Sequence, residues 1–216
     1  MQNSYQRPGS FNILPLVIKN LLIINGLLFL ASITPTISDY ILRYLPLYYF
    51  ELPYFGPWQL VTYQFIHDPG GIGHLFFNML SLWMFGSILE NFWGARKFII
   101  FYLASGIGAA VFHMLYTYIA IHYMPQLGAA PILIGASGSI YGLLVAYAFM
   151  FPDSYINLYF FIPIKAKYFM WILIAIDLFG GFFSNDNVAH FAHIGGAITG
   201  FIILLIWKRS GKLWGK

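Results

Sequence analysis

The chain has 216 residues, 60% of them hydrophobic and only 8% charged, with a mean hydropathy of +0.73. Soluble domains carry about 25% charged residues, so this composition excludes an ordinary soluble fold and leaves room for about six spans of roughly 20 residues. The formal charge of +4 is no nucleic-acid signature, because the basic residues stand beside apolar segments, and the lack of cysteine excludes disulfides, thiolate nucleophiles and Cys-ligated zinc.

The first apolar segment, 13–34, reads as a retained span with Lys19 able to snorkel near its start. A cleaved signal peptide is the competing reading, since Arg7 precedes the segment. Its length and the poor cleavage site at Ala31-Ser32-Ile33-Thr34 favour the span. A long connection, 35–73, carries Tyr40, Tyr44, Tyr48, Tyr49, Phe50, Tyr54, Phe55 and Trp58, aromatics that settle at headgroup depth. Further spans are predicted at 74–93, 98–121, 132–151, 168–183 and 189–207. Pro152-Asp153 stops the fourth, and Ser184-Asn185-Asp186-Asn187 separates the fifth from the sixth. The expected architecture is an all-α membrane protein, one six-helix transmembrane domain over residues 1–216.

Lys and Arg orient the chain. Arg7 and Lys19 flank span one, Arg96 and Lys97 join spans two and three, and Lys165 and Lys167 precede span five. Lys208, Arg209, Lys212 and Lys216 follow span six, and only Arg43 lies in a connection on the other side. Both termini are therefore expected in the cytoplasm. Spans two, four and six then run from outside to inside. His74 and Asn78 open the second, Ser137 lies about six residues into the fourth, roughly 9 Å deep, and His193 is slightly shallower in the sixth.

Spacing sharpens the cluster. His74 and Asn78 are i,i+4, as are Ser137 and Tyr141, while His190 and His193 are i,i+3. Gly138 and Gly142 on span four, and Gly196 and Gly200 on span six, form small-xxx-small faces that let two helices approach closely. A serine needs a base, and histidine suits that work near neutral pH. The Ser137 N–H, the Asn78 amide and His74 can supply donors to an oxyanion. Asp177, near the middle of span five, is placed too far inward for a third member. The arrangement reads as a Ser137–His193 dyad with Tyr141 packing against or hydrogen-bonding the His193 ring. A polar route for water through His67, Asn78, Ser139 and Tyr141, open to the outside, is expected.

Three motifs carry a family resemblance: Gly135-Ala136-Ser137-Gly138 followed by Tyr141, His74-Leu75-Phe76-Phe77-Asn78, and Ala189-His190-Phe191-Ala192-His193-Ile194-Gly195-Gly196. With Glu90, Gly94, Arg96, Tyr102 and Gly106 between them, the stretch 58–200 resembles the rhomboid family of intramembrane serine proteases. The resemblance implies a six-helix rhomboid core that cleaves membrane-anchored, single-span substrates within or near their transmembrane segment. It assigns Ser137 and His193 to the dyad, His74 and Asn78 to oxyanion support, and a supporting place to Tyr141, Gly135, Gly138 and His190. One departure is visible: many members carry Trp-Arg in the first loop where this chain has Trp58-Gln59, which bears on how the loop is anchored.

Plainer readings compete with each feature. A serine in a glycine-rich membrane helix is ordinarily packing glue, and a lone membrane histidine ordinarily bonds a neighbouring helix. Glu90 with Arg96 is expected to fix the cytoplasmic end of span two. Asp177 is expected to bond a neighbouring helix, with a proton relay as the alternative. Two rival functions use the same residues: a metal or haem site on His74, His190 and His193, and a transporter with Asp177 and the histidines as a proton path. The leading reading requires no cofactor, no metal and no nucleic acid. Its partners are the bilayer and single-span substrates, and its expected location is a bacterial inner membrane with the site opening outward.

Overall fold

The computed structural model describes residues 11–125, 132–158, 162–183 and 189–214. Arg7, the 184–187 connection and Lys216 lie outside the described residues. Among the described residues eight α-helices dominate: α1 (Leu16–Ser32), α2 (Pro35–Tyr44), α3 (Gln59–Thr62), α4 (Ile72–Trp93), α5 (Ala95–His122), α6 (Ser137–Met150), α7 (Ala166–Phe183) and α8 (His190–Arg209). Helices α4, α5 and α8 are long and apolar enough to cross a membrane, and α1 with α2 adds a fourth candidate bent by 116°. Large apolar side chains face outward, among them Trp171, Phe179 and Phe183 on α7, as lipid contact allows.

Two short antiparallel pairs interrupt the helical pattern. Strand β1 (Leu47–Tyr48) pairs with β2 (Ile132–Leu133), and β3 (Tyr155–Leu158) pairs with β4 (Ile162–Lys165) in a hairpin between α6 and α7. The first pair corrects the predicted fourth span. Residues 132–133 are strand, 134–136 are a non-helical turn, and the helix begins at Ser137 itself. Hydropathy cannot separate an apolar strand from an apolar helix turn, so the helix is 14 residues, about 21 Å at the helical rise.

Helix α8 packs between α5 and α6 through glycine contacts. A Cβ on Gly196 would overlap the Gly138 carbonyl oxygen, and one on Gly200 would lie 2.9 Å from Gly142 Cα. Gly108 of α5 likewise abuts Thr199 of α8. A large apolar cluster including Leu82, Phe85, Trp93, Phe101, Leu143 and Leu204 fills the bundle. A smaller one of Leu47, Tyr63, Ala109, Ala110, Leu133 and Ala192 fastens the first loop and β2 to α5 and α8.

Two polar side chains anchor what the spans leave loose. The Glu90 carboxylate, buried on α4, accepts from the Val17 and Ile18 N–H groups at 2.9 Å each. It therefore caps α1, whose own N-cap residue is Pro15 with no side-chain bond. This replaces the expected partnership with Arg96 by a tie between helices one and four. In the first loop Gln59 is fully buried. Its Oε1 accepts from the Tyr48 and Gly56 N–H groups at 3.2 Å each, and its Nε2 donates to the Tyr54 and Tyr44 carbonyls at 2.9 and 3.3 Å. Trp58 Nε1 also donates to the Tyr44 carbonyl, at 2.9 Å.

Gln59→Leu would therefore strand the Tyr48 and Gly56 donors and the Tyr54 acceptor while leaving Tyr44 satisfied by Trp58. At roughly 1–3 kcal/mol per buried unsatisfied group, partly relieved by water, the expected loss is about 3 kcal/mol. Unfolding of the two proteins in the same mild detergent measures it. A loss below about 1 kcal/mol would mean that the loop is held elsewhere.

Candidate active site

Ser137 owes its place to what precedes it. The β1–β2 pairing and a 3.0 Å bond from Gly135 N–H to the Tyr63 carbonyl hold the entry to α6 against the first loop. Gly135 has φ +115°, a conformation that a side chain would strain, and it turns the extended segment into the helix. Ser137 is then the first residue of α6, where backbone N–H groups have no partner within the helix.

On α8, His193 is the fourth residue, and its Nε2 stands 2.8 Å from Ser137 Oγ. The Tyr141 ring stacks on the imidazole, with centroids 4.4 Å apart and planes 7° from parallel. Tyr141 thus packs against the ring face, the first of the two expected arrangements. The close contact of α6 and α8 at Gly138 and Gly196 brings the hydroxyl and the imidazole within a hydrogen bond.

The other ring nitrogen corrects the sequence reading. His193 Nδ1 lies 2.9 Å from Asp177 Oδ1, and His190 Nδ1 lies 2.8 Å from the same oxygen. Asp177 is not too far inward. It stands six residues before the end of α7 at Phe183, about 9 Å along the axis, while His193 is three residues past the start of α8, about 4.5 Å. The signal was present in Gly180 and Gly181, which share a face with Asp177 at i+3 and i+4. Cβ atoms there would meet the His190 ring and Phe191, so α7 presses onto α8 at this point.

Asp177, His190 and His193 are also a group whose possible ligand atoms lie within 4.8 Å of one another. His74, assigned to the rival metal site, does not belong to that group. The oxygen-to-nitrogen separations of 2.8 and 2.9 Å are those of hydrogen bonds, shorter than the roughly 3.3 Å that tetrahedral zinc imposes between its ligands.

His74 and Asn78 open α4 beside the serine. A Cβ on Gly135 would lie 3.1 Å from His74 Nε2 and 3.7 Å from Ser137 Oγ, so the histidine and the serine flank the same glycine. Asn78 Nδ2 donates to the His74 carbonyl at 2.8 Å, which uses one of its two amide hydrogens. The His67 ring tilts toward His74 with centroids 5.1 Å apart. Burial first and the His74 ring second push the His67 imidazole down to about 3, so it is neutral at physiological pH.

The expected open polar route is not formed by these side chains. His67 and Ser139 are fully buried and Asn78 is nearly so. Ser139 Oγ donates to Gln64 Oε1 at 2.8 Å, and Tyr63 OH donates to the Gly106 carbonyl at 2.6 Å. These residues brace α6 against the first loop and α5. Ser137, Tyr141, His74 and His193 are the partly exposed ones.

Comparison with known proteins identifies the family. A family model described as the rhomboid domain matches residues 55–210. RHOMBOID-like protein 12, mitochondrial, of Arabidopsis thaliana is 31% identical over 161 residues, which is 71% of this chain and 46% of that protein. Rhomboid protease GluP of Bacillus subtilis is 33% identical over 144 residues, 67% of this chain and 25% of that protein. Rhomboid protease AarA of Providencia stuartii is 32% identical over 160 residues, 69% of this chain and 56% of that protein. The matched region thus spans between a quarter and rather more than half the length of these curated relatives. With three motifs in order, an apolar multi-helix body and a domain match over most of its length, the chain is a multi-pass membrane protein that belongs to the rhomboid family.

Proposed function

We propose that this protein is an intramembrane serine endopeptidase, with Ser137 as nucleophile and His193 as its base, acting on single-span membrane proteins within or near their transmembrane segment. The observation that supports this most is the 2.8 Å approach of Ser137 Oγ to His193 Nε2 across α6 and α8. His193 takes the Ser137 hydroxyl proton as Oγ bonds to the scissile carbonyl carbon, and the carbonyl electron pair moves onto its oxygen. The Ser137 N–H, His74 and the second Asn78 hydrogen are the donors for that oxyanion. Collapse of the intermediate breaks the C–N bond, and the imidazolium gives its proton to the departing amine. Water then repeats the cycle on the acyl-serine.

A peptide bond inside a helix is shielded, with its carbonyl already hydrogen-bonded. The substrate must unwind locally, which small or polar residues, Gly or Pro near the outer end of its span make easier. In this reading the chain forms a single six-span domain with cytoplasmic termini in a bacterial inner membrane, and the site opens toward the outer face.

The direct test is to treat purified protein with a fluorophosphonate and to reconstitute it with a model single-span substrate. A phosphonyl adduct on Ser137 by mass spectrometry, with product termini near the outer end of the substrate span, is the expected result. Cleavage that persists in Ser137→Ala, or no cleavage by the wild type of any substrate with a Gly- or Pro-containing outer segment, would reject the proposal.

A further inference from the structure

We infer that Asp177 is a positioning residue for the serine–histidine pair, which makes the constellation three-membered. The inference rests on the peptidase reading and deepens it. A carboxylate only accepts hydrogen bonds, so its 2.9 Å contact places the proton of neutral His193 on Nδ1. Nε2 is then left with its lone pair facing Ser137 Oγ at 2.8 Å. That is the tautomer a general base requires. When His193 accepts the serine proton, the imidazolium keeps its Nδ1–H bond to Asp177, and the carboxylate stays ionised throughout.

Location separates this role from that of a helix tie. A side chain only 3% exposed would be costly as an unpaired anion in a bilayer. One bond, to His190 at 2.8 Å, would be enough to tie α7 to α8. The same oxygen instead also meets the ring that faces the serine, on the nitrogen opposite to it. His190 completes the fork: from the first position of α8 it fixes Asp177 Oδ1, while Tyr141 of α6 stacks on the His193 ring and holds its plane. Gly180 and Gly181 admit the His190 and Phe191 side chains close to α7, so the approach is set by the backbones.

The test compares wild type, Asp177→Asn and Asp177→Glu in detergent on a fluorogenic transmembrane substrate, with thermal unfolding as the check on folding. In Asp177→Asn, kcat is expected to fall at least about 100-fold with KM within about threefold of wild type, because substrate contacts are untouched. Asp177→Glu, which keeps the carboxylate, is expected to recover at least about tenfold over the Asn variant. A folded Asp177→Asn with kcat within about threefold of wild type would overturn the inference. So would equal losses in both variants with kcat and KM changed together. A second measurement needs no Asp177 variant: nitrogen-15 histidine spectra of the unmutated protein, with His193→Gln to assign the signal. The Nδ1–H tautomer of neutral His193 is expected, and the Nε2–H tautomer would overturn the role. Ser137→Ala is the control for the parent reading. Retained cleavage there sinks the peptidase proposal, while the tautomer spectrum still tests the Asp177–His193 bond.

Discussion

Ser137→Ala, His193→Ala and the double variant should all lose catalysis to the same floor, each falling by about four to six orders of magnitude in kcat. The equality is the informative part. In the proposed mechanism the hydroxyl and the imidazole, 2.8 Å apart, share one proton transfer, so removing either disables the step and removing the second costs nothing more. Two residues that contributed separately, for example a packing serine and a metal-ligating histidine, would instead multiply their losses. Single-turnover cleavage of a fluorogenic transmembrane peptide at saturating enzyme separates chemistry from product release. A double variant at least tenfold slower than the slower single would show that the two side chains do not act as a unit. Residual cleavage above the uncatalysed rate is expected to come from the oxyanion donors on α4 and at the start of α6.

The meeting of α6 and α8 was legible because it is encoded by an absence of side chains. Gly138, Gly142, Gly196 and Gly200 at four-residue spacing state how close two backbones can come, and the structure places them in contact. Depth was harder to read. Counting residues from assumed span ends put Ser137 about six residues into a helix, but the chain reaches it as an extended segment held by β1 and by the Tyr63 carbonyl. The same counting pushed Asp177 too deep, since it stands past the middle of the 18-residue α7, only six residues from its end at Phe183. The polar ties were opaque for another reason. Gln59 and Glu90 are recognisable as costly in an apolar setting, but their partners are backbone groups of the first loop and of α1. Backbone groups carry no residue identity, so no spacing rule points to them.

Gly196→Ala is expected to be the most damaging single-methyl change in the protein. The added Cβ would overlap the Gly138 carbonyl oxygen and lie 2.8 Å from its carbonyl carbon and 3.2 Å from its Cα. All three are backbone atoms, so no rotamer can yield, and relief requires α6 and α8 to separate. Overpacking of this kind costs typically about 1–3 kcal/mol, and a rigid backbone on both sides puts this case at the upper end. Separation by about 1 Å also takes Ser137 Oγ out of hydrogen-bond reach of His193, for which a loss of about 100-fold in kcat is the ordinary scale. Gly26→Ala is the matched control. That glycine lies within α1 with nothing within 4 Å of the added atom, so the methyl meets only lipid or detergent and gains roughly 0.5–1 kcal/mol of helix propensity. Unfolding in mixed micelles and kcat measured on the same preparations decide between the two sites. If Gly196→Ala matched wild type in both, the helix contact that aligns the nucleophile with its base would not be as tight as the packing requires, and the peptidase geometry would lose its foundation.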